Sequence, residues 1–225
     1  MKYFTKDFVA FFKELEKNNN RDWFQENKKR YESSVKNPFS IFVEALIGRL
    51  SEIYPNLTQL PKEAIFRINR DVRFSADKTP YKVQSSALIS EKGKKDYATP
   101  AFYIQANHND VRVYSGSHRL DKNHLQNLRS EISHNMKEFN KLITDKKFTS
   151  TFGEILGDKN KRIPKEFVDA EKEQPLIANK SMYYFFKQPS SSLVKDDLID
   201  GLIEGYKAAI PLNQFIERAI SVSEN

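Results

Sequence analysis

The spacing of the apolar residues changes four times along the chain, and this constrains the fold more than any other feature. Up to residue 60 the spacing is helical. Phe8, Phe11, Phe12 and Leu15 recur three and four residues apart behind Thr5, a residue suited to capping a helix. Asn18, Asn19 and Asn20 break that helix, and Asn20 can cap a second one carrying Trp23, Phe24 and Tyr31. Asn37 followed by Pro38 reads as the start of a third, with Phe42, Val43, Leu46, Leu50 and Ile53 as its stripe and Pro55 as its end. From 61 to 118 the period shortens to two. Ala64–Phe74, Val83–Ser90, Ala101–Asn107 and Val111–Ser115 read as strands, the last two joined tightly through His108-Asn109-Asp110. Helical spacing returns behind Asp121 with Leu125, Leu128 and Ile132, and runs on through Met136, Phe139 and Leu142. Lys146–Lys180 is basic and loop-rich, and Ser181–Gln188 reads as a further strand bounded by Pro189. Two helices close the chain, one capped by Ser192 and one opened by Pro211.

Strands clustered between helical ends predict an α+β fold. Its centre would be a mostly antiparallel sheet of about five strands covered by N-terminal and C-terminal helices. With 225 residues, no internal repeat and no low-complexity linker, a single domain over 1–225 is expected. It would be helical over 1–60, sheet-rich over 61–118, helical and looped over 119–180, and strand plus helices over 181–225.

Composition removes several classes. The chain has no cysteine, which rules out a disulfide scaffold and thiolate chemistry and fits a reducing compartment. Its 17 Phe and 10 Tyr exclude a disordered chain. The apolar run Phe8–Phe12 is hemmed in by Lys6, Asp7 and Lys13 and is too short for a signal-peptide core. No stretch reaches the length of a membrane span, so a cytoplasmic protein without a membrane partner is expected.

The formal charge of +7 permits an anionic partner. It is unevenly spread. Lys62–Asp96 holds nine basic and five acidic residues, whereas Ser190–Asn225 holds three basic and six acidic.

Much of that charge falls in Ile65–Lys82, IFRINRDVRFSADKTPYK. If Ile65–Phe74 is extended, Phe66, Ile68, Val72 and Phe74 share one face with Arg70, and Arg67, Asn69, Asp71 and Arg73 share the other. A guanidinium among apolar neighbours needs a carboxylate, several carbonyls or an anionic ligand. The polar loop that follows, Ser75 to Lys82, adds Lys78 and Lys82, with Ser75 and Asp77 placed to shape a turn and Pro80 holding Thr79 extended. Arginine's planar fork suits phosphate or carboxylate. The same alternation of Arg and Asp also suits a cross-strand ion-pair ladder.

Other chemistries find little support. His108, His118, His124 and His134 show no ligand spacing, and the Arg and Lys around Asp71 and Asp77 would compete with a cation, so no metal site is expected. Ser117-His118 point apart on an extended chain, and no dinucleotide or phosphate-loop glycine motif is present, so no cofactor is expected. General acid–base work could fall to Asp71, Asp77 or Tyr81. An Asp held among arginines has a lowered pKa, which makes it a weak base but a good positioner of Arg. Arg21 and Trp23 could supply an aromatic wall beside a cation, or Trp23 could simply pack the core.

N-N-N-R-D-W-F at Asn18–Phe24, N-K-x-R-Y at Asn27–Tyr31 and F-R-I-N-R-D-V-R-F-S-A-D-K-T-P-Y-K at Phe66–Lys82 resemble the family called domain of unknown function 2461. The likeness continues through Phe102–Ile104, Leu128-Arg129 and Lys161–Phe167. The family is glycine-rich over the segment matching 98–116, where this chain keeps only Gly116. The resemblance implies a conserved bacterial or fungal protein without an assigned activity. Its signature positions would be Arg21, Trp23, Phe24, Arg67, Arg70, Asp71, Arg73, Phe74, Ser75, Asp77, Lys78, Pro80, Tyr81 and Lys82.

The leading expectation is binding of a phosphorylated or otherwise anionic small molecule, with or without turnover. The residues would be Arg67, Arg70, Arg73, Ser75, Lys78 and Lys82, with Arg21 and Trp23 beside them. A second is association with nucleic acid, drawn from the basic middle and from Lys137–Lys165 with its eight basic and four acidic residues, although no binding motif is present. A third is a structural or interaction protein in which the Arg and Asp row is an ion-pair network.

Overall fold

Each of the three asparagines at 18–20 has a separate task. Asn18 ends helix α1 (Lys6–Lys17), its backbone and side-chain N–H groups both donating to the Glu14 carbonyl. Asn19 reaches across to residue 81, as described below. Asn20 caps helix α2 (Arg21–Glu26), its Oδ1 accepting from the Trp23 amide at 3.0 Å. Thr5 caps α1 as expected. The computed structural model describes residues 1–221 and shows an α+β fold.

The third helix begins at Asn37 as expected, but it follows on from helical chain rather than from a cap. A short α3 (Lys28–Tyr31) passes through a π turn at Glu32–Lys36 straight into α4 (Asn37–Ser51). Proline inside a helix lacks a donor and crowds the preceding turn. Here the wide turn, in which the Asn37 amide donates to the Glu32 carbonyl five residues back, lies just before Pro38. Arg30 ties α3 to α1 by donating to both Asp7 and Glu14 at 2.6 Å.

Helix α5 (Pro61–Ala64) leads into the sheet. Strands β1 (Ser85–Ile89), β2 (Phe102–Ala106) and β3 (Asp110–Ser117) precede helices α6 (Lys122–His134), α7 (Met136–Ile143), α8 (Lys146–Phe152) and α9 (Val168–Glu173). Strand β4 (Met182–Pro189), α10 (Leu198–Lys207) and α11 (Ile210–Ile220) complete the order. The strands form one antiparallel sheet in the order β1-β2-β3-β4. The β2–β3 turn is closed by Asn107, whose side chain accepts from the amides of Asn109 and Asp110. Asp121 and Pro211 open α6 and α11 as their sequence positions predict.

Three expectations need correction. The sheet has four strands, not five, because 64–74 is not a strand. Ile65 bridges Ala87 and Asn69 bridges Tyr81, so between the bridges three residues on one side face five on the other. A bulge of that size breaks the ladder, and only the Phe66, Arg70 and Lys82 amides keep cross-chain bonds. Ser192 sits within a 3-10 turn at Ser190–Val194, ahead of α10, and caps nothing there. Lys146–Lys180 is also less loop-like than its composition suggests, since it holds α8, capped by Asp145, and α9.

By contact the chain forms two compact units. One comprises Met1–Lys94, Tyr103–Val113 and Lys187–Ile203, and the other Lys95–Phe102, Tyr114–Phe186 and the stretch from Glu204. The first is built on rings. Phe4, Phe8, Phe11, Phe12, Phe39 and Phe42 are buried and meet tilted or edge to face. Each such side chain stabilises by about 1.5–3 kcal/mol relative to exposure. In the second, Phe148 and Phe152 close on Tyr184, whose hydroxyl donates to Asn213 at 2.5 Å.

Candidate anion-binding site

The segment from Ile65 to Lys82 belongs to the first unit, and the lost strand register decides how its charges are used. Beyond Asn69 the chain leaves its partner and forms a loop that closes on Arg70. Arg70 donates to the Asp77 carboxylate and to the Thr79 hydroxyl, with Ser75 Oγ at 3.5 Å. Asp77 in turn accepts from the amide and the hydroxyl of Thr79, both at 2.9 Å. These bonds, that from the Thr79 amide foremost, hold the Asp77 carboxyl down at about 2. The guanidinium that the sequence marks as needing a counter-charge thus finds a carboxylate seven residues along.

Asp71 and Arg73 form a second local pair. Arg73 donates to both carboxylate oxygens, at 2.9 and 2.7 Å, and this fork keeps Asp71 at about 2. Lys78 donates to the Val72 carbonyl at 3.0 Å. Phe74, predicted to share an apolar face with Ile68, stands at the loop tip and is 97 % exposed, with the Arg73 guanidinium 5.9 Å from its ring centre. Ile68 alone of that apolar row is buried.

Tyr81 is held from two sides. Its ring stacks on Phe24 with centroids 4.0 Å apart and planes 16° from parallel. Asn19 donates from Nδ2 to the Tyr81 carbonyl at 2.9 Å and accepts the Tyr81 amide on Oδ1 at 3.1 Å. Tyr81 is therefore buried, and its surroundings fit packing rather than proton transfer. Trp23 is half-buried against Phe11 at 5.5 Å, and Arg21 is exposed at the start of α2.

Two cations remain beside Phe66, and Arg67 follows it in the chain. Lys82 Nζ lies 5.3 Å and Lys94 Nζ 5.7 Å from its ring centre, and Tyr103 meets the same ring edge to face at 5.9 Å. Lys94 also donates to the Ile65 carbonyl at 3.2 Å. Lys82 is half-buried, and burial, reinforced by repulsion from Arg67, pushes its ammonium below the ordinary lysine value. Neither Lys82 nor Arg67 has a carboxylate partner among the described residues. So the cluster divides into Arg70 and Arg73, which are paired within the loop, and Arg67 and Lys82, which make no ion pair, although Asp71 attracts Arg67 at longer range.

The model of a family described as Conserved hypothetical protein (DUF2461) matches residues 7–215. The chain belongs to this family. No curated protein matches it. The two motifs through which the sequence resembles DUF2461, at 18–24 and 66–82, meet in space at the Asn19–Tyr81 clasp and the Phe24–Tyr81 stack. Lys94 and Tyr103 also fall within the DUF2461 match and were not singled out from sequence. Lys94 comes from the loop after β1 and Tyr103 from β2, and only the fold brings them to Phe66. Among the described residues no three His, Asp or Glu side chains gather as a metal shell would, and no helix is long and apolar enough to cross a membrane.

Proposed function

We propose that this protein binds a small phosphorylated or carboxylated ligand beside Phe66, with Lys82 and Arg67 as its charge anchors and Lys94 as a third cation. The observation that carries this reading is Lys82: a half-buried ammonium, repelled by a neighbouring guanidinium and without a carboxylate. Uncompensated charge in a partly desolvated place is costly, and an anion would relieve it. Phe66 and Tyr103 offer an apolar edge against which the body of such a ligand can rest. Arg70, Ser75 and Asp77 shape the adjoining loop, and a cytoplasmic setting suits the absence of cysteine.

A thermal-shift and calorimetric screen of phosphate, sugar phosphates, nucleotides and dicarboxylates tests this. A ligand present at a hundred times its dissociation constant stabilises by about 2.7 kcal/mol. Binding that survives moderate salt and is lost in Lys82→Gln and Arg67→Gln supports the site. Binding that both substitutions leave intact sinks it.

Phe74 favours a second reading, in which the loop tip stacks on the bases of a single-stranded nucleic acid and Arg73 contacts its backbone. Affinity would then fall steeply with salt and depend on Phe74.

A further inference from the structure

We propose that the second unit carries a separate binding site for a small phosphorylated sugar. It lies in a cavity of about 300 Å³ where three chain segments converge: the turn after β3, the stretch following Leu156, and the entry to β4. The cavity is walled by His118, Arg119, Asp158, Lys180, Ser181 and Tyr183, with Leu120 as its one apolar member.

Two glycines make this convergence possible. Gly116 has φ +90°, and a Cβ there would collide with the Met182 carbonyl. Gly157 has φ +152°, and a Cβ there would collide with the Ser181 carbonyl. The chain entering β4 therefore runs between two stretches that approach it more closely than any side chain would allow. Backbone bonds fix the spacing. Leu156 and Tyr183 exchange amide bonds at 2.8 and 3.1 Å, Lys180 donates to the Asp158 carbonyl at 2.7 Å, and His118 and Arg119 both donate to the Tyr97 carbonyl. The walls are set by main chain, leaving the side chains free for a ligand.

Those side chains are unspent. None of the six polar residues makes a side-chain hydrogen bond or ion pair among the described residues. The Arg119 guanidinium is steadied over the Tyr97 ring at 5.4 Å, and the His118 and Tyr183 rings meet edge to face at 6.0 Å. Two cations against a single carboxylate favour an anion. Arg119 supplies the planar fork that suits a phosphate, and Lys180 the point charge.

The remaining groups narrow the ligand. Asp158 can only accept, while Ser181 and Tyr183 donate and accept. A carboxylate in an anion site repels a bare phosphate but rewards hydroxyl groups carried next to one. With Leu120 as its one aliphatic side chain, the wall gives little to a lipid, while the Tyr183 and His118 rings can lie against the carbon face of a sugar. The volume lies at the small end of ligand cavities, which fits a pentose or hexose phosphate rather than a nucleotide.

The test is isothermal titration of the full chain with ribose 5-phosphate, alongside ribose and inorganic phosphate. Ribose 5-phosphate is expected to bind more tightly than either fragment. Arg119→Gln and Lys180→Gln, both at exposed positions, should each weaken it about tenfold or more, as loss of a charge-assisted hydrogen bond implies. Asp158→Asn should weaken ribose 5-phosphate and strengthen inorganic phosphate. The titrations are repeated in Lys82→Gln, which removes binding beside Phe66; the ribose 5-phosphate binding that depends on Arg119 and Lys180 should persist there, which separates this site from the one beside Phe66. The proposal is overturned if ribose 5-phosphate fails to bind at millimolar concentration, or if it binds Arg119→Gln and Lys180→Gln as it binds the parent. It is equally overturned if the binding disappears in Lys82→Gln while both cavity variants retain it.

Discussion

Asn19 and Tyr81, 62 residues apart, are joined as two strands would be, the asparagine amide standing in for a peptide group and pairing with both the N–H and the C=O of Tyr81. Asn19→Ala removes both bonds at once and leaves the part-buried Tyr81 backbone without those partners. A loss of about 1–3 kcal/mol is expected, read from the midpoint of urea unfolding. Asn19→Asp should lose the bond to the carbonyl while keeping the one from the amide, and fall between.

Tyr81 separates packing from chemistry. Tyr81→Ala removes a ring stacked on Phe24 and should cost about 3–5 kcal/mol. Tyr81→Phe keeps the ring and should cost less than about 1.5 kcal/mol while leaving ligand binding unchanged. Loss of binding or of any turnover in Tyr81→Phe would restore the hydroxyl as a chemical group.

The loop at 70–79 should loosen in acid. The Asp77 carboxyl sits at about 2 against an ordinary 3.8, so its clamp stabilises fully above the ordinary value and is lost as pH falls through about 2. Asp71, also near 2, follows in the same window. Hydrogen exchange at the Thr79 amide should rise relative to the rest of the chain between about pH 4 and 2. In Asp77→Asn that acid-dependent step should be absent, with exchange already raised at neutral pH.

Lys82 carries the opposite sign. Its ammonium is disfavoured in the folded chain, so the penalty is fully present at neutral pH and is relieved as pH rises towards the ordinary value of 10.5. Lys82→Met should therefore melt slightly higher than the parent without ligand, by less than about 1 kcal/mol once its partial exposure is allowed for. The same variant should lose the anion response. Lower stability together with intact binding would assign Lys82 to the scaffold.

Phe74 is exposed enough that Phe74→Ser should change stability by less than about 0.5 kcal/mol. Fluorescence anisotropy with a labelled single-stranded oligonucleotide then isolates its role. A marked loss of affinity in Phe74→Ser supports the nucleic-acid reading, and equal affinity removes its basis.

The helices were legible because their signals are local: Thr5, Asn20 and Asp121 cap what their positions say they cap, and Phe8, Phe11, Phe12 and Leu15 are all buried. The strand at 64–74 misled because alternation reports only a local preference. Whether it becomes a ladder depends on a partner, and the bulge opposite Asn69 is invisible to periodicity. At the candidate site the sequence marks Arg70 as a charge in need of a partner, and that partner, Asp77, lies in the same motif. The gathering of Lys94 and Tyr103 on Phe66 rests on tertiary structure alone. The six polar residues of the cavity beside β4 are likewise scattered from 118 to 183 and share no motif.

The wide turn at Glu32–Lys36 acts as a phase correction for the helix that follows. It holds one residue more than an α turn, and one residue is worth about 100° of rotation. Phe39, Phe42, Val43 and Leu46 are buried beyond it. Because the wide turn takes up its extra residue within one turn, deleting one residue there would let it close as an α turn and leave that stripe on the same face.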